Sequence, residues 1–445
     1  MNRSTAILER FRTLYPREID LSLDRMRLLM AKLGHPERRL PPVIHVAGTN
    51  GKGSSVAFMR AMLEAAGKTV HVYTSPHLVR FHERMRIGRP GGGRFVEEDA
   101  LVEAFIEVER VNGDAPIPQF EITTAAALRL FADSPADFAL IEVGLGGRYD
   151  ATNVIDAPIV AIIAPVSVDH EKFFGTSLAQ IASEKAGIIK RGRPVVVAPQ
   201  VPIVAEVIEA EAARLAAPVL AGNRDWIAHG EHGRLVFQDE DGLLDLPSPR
   251  LVGRHQFTNA GAAIAALRRA GIGLSQDAIA AGLTGVDWPA RLQRLSEGAL
   301  VARTPADAEL WLDGGHNPSA GAAVAESMAD LEERVPSPLV LITGMLNTKD
   351  PVGFFRPFAG LAERVLTVPV PGTTAGRDPA ELAEAARVAG LPAEPTSGFE
   401  AALDRVRAGN GDGPPARPPR PPRILICGSL YLAGAVLAAN GTPPG

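Results

Sequence analysis

Short runs of Val, Ile and Leu recur along the chain, separated by longer stretches in which apolar residues return every three or four positions. Such runs, bounded by Gly or Pro, predict strands buried on both faces, and the stretches between them predict helices. The alternation predicts βαβ units and mainly parallel sheets, an α/β fold. In the first part of the chain the predicted strands are 43–47, 70–74, 138–143, 159–165 and 195–198, with helices over 97–111, 123–131 and 201–215. Pro194 opens a strand, where a missing N–H is tolerated. The runs 235–238 and 243–246, split by Asp239–Gly242, predict a β-hairpin, and 259–271 and 276–282 return to helix. After Arg291 the pattern restarts, with strands 310–312, 339–343, 364–370 and 424–427 and helices 320–331, 379–388 and 399–407. Two units are therefore expected, a larger one over 1–290 and a smaller one over 291–445, with the boundary within 287–298. The stretch 414–422, P-P-A-R-P-P-R-P-P, predicts an extended polyproline connection; an SH3-type ligand is the sharper alternative.

Composition narrows the class. The chain has 445 residues, 46% apolar and 22% charged, as in globular proteins of two or three domains. A net charge of −5 and the absence of a Lys/Arg block give no field for nucleic acid. No apolar run approaches the ~20 residues of a membrane span, and the N-terminus lacks a signal-peptide core, so a cytoplasmic enzyme is expected. Cys427 is the only cysteine, which excludes an intrachain disulfide and a cysteine-based zinc site and suits a buried strand position.

The candidate chemistry lies where predicted strands end. Residues 43–55 read V-I-H-V-A-G-T-N-G-K-G-S-S: an apolar run, a glycine-rich turn carrying Lys52 and Ser54, then a helix-like stretch. Backbone N–H groups and the positive end of a helix suit a polyphosphate, and Lys52 adds a charge near the β/γ-phosphates. The spacing is a variant of the usual phosphate loop, because Val46 replaces the first Gly and Gly53 separates Lys52 from Ser54. A glycine-rich surface turn is the alternative. Glu142 ends the run F-A-L-I-E, where ligands bind in open parallel sheets, and could hold Mg²⁺ or cap a neighbouring helix. Ser75 follows 70–74; Asp169 and His170 follow 159–165. Singly, His170 reads as a hydrogen-bonded surface histidine; together these strand ends form a ring around one phosphate site. Ser177 is placed to cap the next helix, and Lys185 falls in its last turn, where a cation suits the helix dipole. In the second unit, W-L-D-G-G-H-N-P (311–318) offers Asp313 and His316 at a strand end, with Pro318 opening a helix; the same turn also suits a purely structural role.

Together these segments resemble the bacterial folylpolyglutamate synthase/dihydrofolate synthase family, a branch of the Mur-ligase-type amide ligases. The matching residues are G-T-N-G-K-G-S (48–54), Y-T-S-P-H-L (73–78), F-E-I-T-T-A-A-A-L (120–128), E-V-G-L-G-G-R-Y-D-A-T-N (142–153), D-H (169–170), I-A-S-E-K-A-G-I (181–188), H-Q-x-x-N-A (255–260), P-A-R (289–291) and D-G-G-H-N-P (313–318), in the family's order. The family often has P-G-R and D-G-A-H-N-P at the last two, departures that bear on local turn geometry. The resemblance implies a P-loop-containing, Mur-ligase-like ATPase domain, a smaller Rossmann-like C-terminal domain that binds glutamate, and ATP in the cleft between them. It implies that Asn50, Gly51, Lys52, Gly53 and Ser54 hold phosphates and that Asn259, Arg291 and Asp313 reach the nucleotide from the far side. Ser75, Glu142 and His170 match the family's magnesium ligands, and Lys185 matches a lysine carbamylated in several relatives. Leu23, Asp24 and Arg25 of the segment 20–25, with Phe120, Glu121, Ile122, Thr123, Tyr149, Asp150 and Ala151, match the pterin-binding positions.

The implied reaction joins L-glutamate to dihydropteroate and adds γ-linked glutamates to reduced folates. ATP converts the acceptor carboxylate to an acyl phosphate, and the amine of glutamate attacks it. Lys52 and one or two Mg²⁺ ions would neutralise the phosphates, a carbamylated Lys185 would orient the second ion, and His316 would contact nucleotide or glutamate without transferring a proton. A monomer acting on small molecules is expected. The alternatives are folylpolyglutamate synthase activity alone, a Mur ligase acting on a cell-wall precursor, and a P-loop switch without amide chemistry. The phosphate loop begins at Gly48, which leaves no room for the domain that holds the UDP part in Mur ligases. A switch would not require the motif at 313–318.

Overall fold

A computed structural model of the protein describes residues 3–14, 22–409 and 420–445. Positions 20–21 of the segment 20–25, and 414–419 of the proline-rich stretch, lie outside the described residues. The first sheet contains β1 (Val43–Ala47), β2 (Val70–Tyr73), β3 (Met85–Ile87), β4 (Arg94–Phe95), β5 (Phe138–Glu142), β6 (Val160–Ile163), β7 (Val195–Val197) and β8 (Val219–Ala221). Its spatial order is β4-β3-β2-β5-β1-β6-β7-β8. The six strands from β2 to β8 run parallel, and the edge pair β3 and β4 is antiparallel. All five residues of β1 are buried, as a central strand covered on both faces requires.

Parallel pairing sets the register that matters for the site. Val46 stands beside Glu142 and Ala47 beside Ile163. The loops after β1, β2, β5 and β6 therefore open at one edge, where ligands meet such sheets. Helix Lys52–Ala65 covers one face and packs against helices Arg254–Arg269 and Gln276–Gly285. The approach to the second is close: a Cβ on Gly282 would stand 2.6 Å from the Met62 backbone. Helices Asp24–Lys32, Glu98–Asn112 and Gln119–Asp133 share a core on the other face with Tyr73 and Ile141.

An antiparallel meander follows: β9 (Ile227–Glu231), β10 (Arg234–Asp239) and β11 (Gly242–Pro247). The last sheet contains β12 (Gln293–Leu295), β13 (Glu309–Leu312), β14 (Leu339–Thr343), β15 (Ala362–Thr367), β16 (Ala393–Pro395) and β17 (Arg423–Cys427), in the order β12-β13-β17-β14-β15-β16. All its pairs but β12 with β13 are parallel. Every residue of the central β17 is buried. Burial pushes the Cys427 thiol up to about 12, partly offset by its Thr343 partner.

Between the two parallel sheets the chain makes an unusual turn. Ala290 and Leu292 have φ of +57° and +41°, conformations that cost an L-residue about 1 kcal/mol or more. Hydrogen bonds hold them: Gly314 N donates to Ala290 O at 2.9 Å and Leu292 N to Asp313 Oδ2 at 2.8 Å. The alanine of P-A-R thus occupies a position that suits glycine. No helix among the described residues is long and apolar enough to cross a membrane.

Most predicted elements occur in place, with trimmed ends. The strand predicted over 159–165 shrinks to Val160–Ile163, and the helix predicted from 123 begins at Gln119, just after Pro118. Six strands went unpredicted: β3, β4, β8, β9, β12 and β16.

Candidate active site

The turn after β1 is shaped by contacts that only glycine allows. Gly48 has φ +145°, and a Cβ there would meet Ala164 Cβ at 2.6 Å. Gly51 has φ +88°, and its Cβ would lie 2.3 Å from Asn259 Oδ1. At Gly53 the ring of Trp288 would be 2.9 Å away. Thr49 N and Asn50 N both donate to Pro165 O, at 2.9 and 3.3 Å, which ties the loop to the end of β6. The N-terminus of helix Lys52–Ala65 follows, capped by no side chain, so its first N–H groups suit an anion.

Opposed charges gather beneath this loop. Lys52 Nζ lies 3.2 Å from Thr49 O and 3.9 Å from Glu142 Oε1. Glu142 Oε2 accepts from Ser75 N at 3.3 Å. Burial pushes the Glu142 carboxyl above its ordinary range, and Lys52 only partly offsets that. Lys185, in the last turn of helix Leu178–Ala186, is buried and donates from Nζ to Gly48 O at 2.9 Å. Burial, reinforced by the Lys52 cation, brings its ammonium down to about 7. Ser177 caps that helix, accepting from Gln180 N.

The loop after β5 is fixed from within. Asp150 Oδ2 accepts from Gly144 N and Leu145 N, and Oδ1 from Thr152 N and Thr152 Oγ1. Thr152 Oγ1 in turn accepts from His45 Nε2 at 2.8 Å, in the middle of β1. Burial holds His45 neutral, with a pKa of about 3.

The facing wall comes from the second sheet. Asp313 follows β13; its Oδ1 accepts from Gly315 N at 2.6 Å and its Oδ2 from Leu292 N at 2.8 Å. Arg291 Nη1 donates to Ala290 O, and His316 Nδ1 lies 2.9 Å from Gly314 O. Asp169, after β6, meets Lys349 Nζ at 2.5 Å and stands 3.6 Å from His316 Nε2. Burial raises the Asp169 carboxyl, but His316, His170 and Lys349 together take it well below the usual range. Burial lowers His170 to about 4 against the pull of Asp169.

A cleft of about 520 Å³ lies between these walls. It brings together Asn50, Gly51, Lys52, Gly53, Ser54, Asn259, Arg291 and Asp313, and also Ser75, Glu142, His170 and His316. Lys185 is not on its surface but behind the phosphate loop. The expected pterin positions stand elsewhere. None of Leu23, Asp24, Arg25, Phe120–Thr123 or Tyr149–Ala151 lines this cleft. Ile122 and Thr123 are core residues, the Thr123 hydroxyl donating to Gln119 O. The Phe120 ring covers Gly144, and Arg25 pairs with Glu121 at 2.8 Å. Tyr149 is exposed, whereas Asp150 spends its oxygens on its own loop. Sequence reasoning passed over Asn317, Lys349 and the turn Gly428–Tyr431, all on the cleft or its junction. Asn317 lay inside the motif 313–318 and the last is a Gly-Ser pair after the β17 run, whereas Lys349 carried no signal.

Among the described residues no three His, Cys, Asp or Glu side chains are grouped to hold a metal. Mg²⁺ needs only one or two carboxylates when phosphates and water complete its shell. The buried Glu142 with Ser75 beside it, both on the cleft wall, fits that partial donor set.

No family model matches the chain. The folylpolyglutamate synthase of Lacticaseibacillus casei is 35% identical over 425 residues, 93% of this chain and 92% of that protein. The chain belongs to the folylpolyglutamate synthase/dihydrofolate synthase family. Solved structures agree. E. coli FolC in complex with DHPP and ADP matches with a TM-score of 0.85 at 30% identity, covering 98% of each chain. A bifunctional folylpolyglutamate synthase/dihydrofolate synthase with Mn, AMPPNP and L-glutamate bound matches with a TM-score of 0.84 at 30% identity, covering 99% of each. Membership accounts for two mainly parallel sheets whose strand ends meet at one cleft.

Proposed function

We propose that the protein is a magnesium-dependent ligase that uses ATP to join L-glutamate to dihydropteroate and to add γ-linked glutamates to reduced folates. The observation that carries this is the cleft: a glycine-shaped phosphate loop with Lys52 and Glu142 on one wall, and Arg291, Asp313 and His316 on the other. Relatives with ADP, AMPPNP, Mn, DHPP and L-glutamate bound support the same ligand set. The relatives' names are those of folate enzymes, which lends nothing to a cell-wall ligase or a switch.

Amide synthesis needs an activated carboxylate. The γ-phosphoryl group of ATP passes to the acceptor carboxylate, giving an acyl phosphate and ADP. The α-amine of glutamate attacks the acyl carbon, loses a proton, and phosphate leaves. Phosphoryl transfer to an anion is largely a problem of charge and position. The loop N–H groups and Lys52 hold and neutralise the phosphate oxygens. Glu142, Ser75 and His170 would hold a divalent ion, which supplies further neutralisation at the γ-phosphoryl group. Asn259, Arg291 and Asp313 orient the nucleotide, and His316, tied to Gly314 O, contacts nucleotide or glutamate. A Lys185 amine with a pKa of about 7 is substantially neutral near pH 7, the form that adds carbon dioxide, and this supports a carbamylated state. Residues 1–290 form the ATPase domain and 291–445 the glutamate-binding domain; the pterin lies near Leu23–Arg25, Phe120–Thr123 and Tyr149–Ala151. The enzyme acts as a cytoplasmic monomer.

Product analysis tests the reading. Purified protein with ATP, Mg²⁺ and glutamate should form dihydrofolate from dihydropteroate and lengthen tetrahydrofolate by γ-linked glutamate. Neither product, with the phosphate loop intact, would refute it.

A further inference from the structure

The carboxamide of Asn317 uses every hydrogen-bonding position it has. Its Oδ1 accepts from Ala320 N at 2.9 Å and from Asn50 Nδ2 at 3.1 Å. Its Nδ2 donates to Asn50 Oδ1 at 3.1 Å and to Asp169 Oδ2 at 3.0 Å. Two donors and two acceptor lone pairs are all that one amide offers. Asn317 itself is 2% exposed, and its partners Asn50 and Asp169 stand at the edge of the cleft.

Three segments meet at this amide. Asn50 belongs to the phosphate loop, Asp169 to the loop after β6, and Asn317 itself caps helix Pro318–Arg334 of the second unit. Capping needs only the bond from Ala320 N, which Ser, Thr or Asp would accept as well. The other three bonds do nothing for the helix; all run to the opposite wall. Asp169 extends the same junction: besides its neighbour His170, it meets Lys349 and His316, which also belong to the second unit.

We propose that Asn317 is a positioning residue that clasps the phosphate loop and Asp169 to the second unit, fixing the closed geometry in which both walls reach one substrate. The inference rests on the amide-ligase reading for its kinetic part, but its structural part stands apart from it. A clasp of this kind acts on the relative placement of the walls and not on nucleotide affinity at either one. Small misplacements of reacting groups are costly: about 1 Å can lower a rate roughly 100-fold.

Asn317→Asp and Asn317→Ser test it, because both preserve the helix cap. Asp loses both donors and sets a carboxylate against Asp169; Ser loses the donors without adding charge. Asn317→Ser should unfold near the wild-type midpoint, and Asn317→Asp modestly below it because of the like charge against Asp169. Their kcat should fall by about 10- to 100-fold while the KM for ATP changes less than about threefold, with Asn317→Asp the more impaired. Hydrogen exchange in nucleotide-free protein should quicken at amides 49–52 and 167–170 in both, and stay unchanged at 319–322, where the cap is kept. Wild-type kcat and wild-type exchange in both variants would overturn the clasp. So would a kcat loss that appears only with a large drop in unfolding midpoint, since that is a cap alone. A wild-type enzyme that ligates nothing would overturn the ligase reading instead, and the exchange data would still decide on the clasp.

Discussion

The two walls of the cleft are built by opposite means. On the first, strand ends and glycines bring bare backbone to the ligand, and the side chains are few and buried. On the second, side chains do the holding: Asp313 grips the turn before β12, and Lys349, His316 and Asn317 reach across to Asp169 of the first. The first wall depends on what is missing, a Cβ at each of several positions. The second depends on what is present, a closed set of partners drawn from distant parts of the chain. A cradle of bare backbone thus faces a wall of interlocked side chains.

The largest expected effect tests whether the first wall carries the chemistry. Lys52→Ala should lower kcat by roughly 100- to 1000-fold, read by product formation, with little change in unfolding midpoint. Activity within tenfold of wild type would move the burden to the second wall. The contrast in glycine use comes next. Gly48→Ala puts a Cβ 2.6 Å from Ala164 Cβ at φ +145° and should cost roughly 1–3 kcal/mol in denaturant unfolding. Gly314→Ala meets chiefly the flexible end of Leu430 and should cost less. Equal costs would erase the distinction.

The third prediction concerns Lys185, held at about 7 against its ordinary 10.5. The unfolded chain then binds the proton more tightly than the folded one. The penalty is full below about pH 7 and is relieved as pH rises toward 10.5. Stability should therefore climb through that window by up to about 1.4 kcal/mol per pH unit from this group. Lys185→Met should flatten the climb in carbon dioxide-free buffer, as measured by denaturant midpoints at several pH values. Parallel profiles would contradict it. The smallest effect is at the turn between the sheets. Ala290→Gly relieves a left-handed alanine but frees the unfolded chain, so a net gain below about 1 kcal/mol is expected in thermal unfolding.

The same contrast explains what could be read from the sequence. The first wall was legible because its signal is local: an apolar run, a glycine turn and a helix start lie side by side at 43–55, and Glu142 ends its own run. The central strands β1, β14 and β17 were legible because burial on both faces makes them continuous apolar runs. β3, β4, β8, β12 and β16 have only two or three residues each, too few to show a period, and β9, I-A-H-G-E, has no alternation. Lys349 and Asn317 were missed as site residues because their importance lies in partners far along the chain. The pterin positions, matched by resemblance, do not line the main cleft, and Ile122 and Thr123 among them turn into the core, which a pattern of residue types does not reveal.

Cys427 sits inside the central strand of the second sheet, its proton held firmly by burial. Almost no thiolate exists there at neutral pH, and nothing in solvent can reach it. Oxidants and alkylating reagents should therefore pass the native molecule by. A second cysteine engineered at any exposed position would be the sole reactive thiol, and a single dye or spin probe could then report on either lip of the cleft without first removing the natural one.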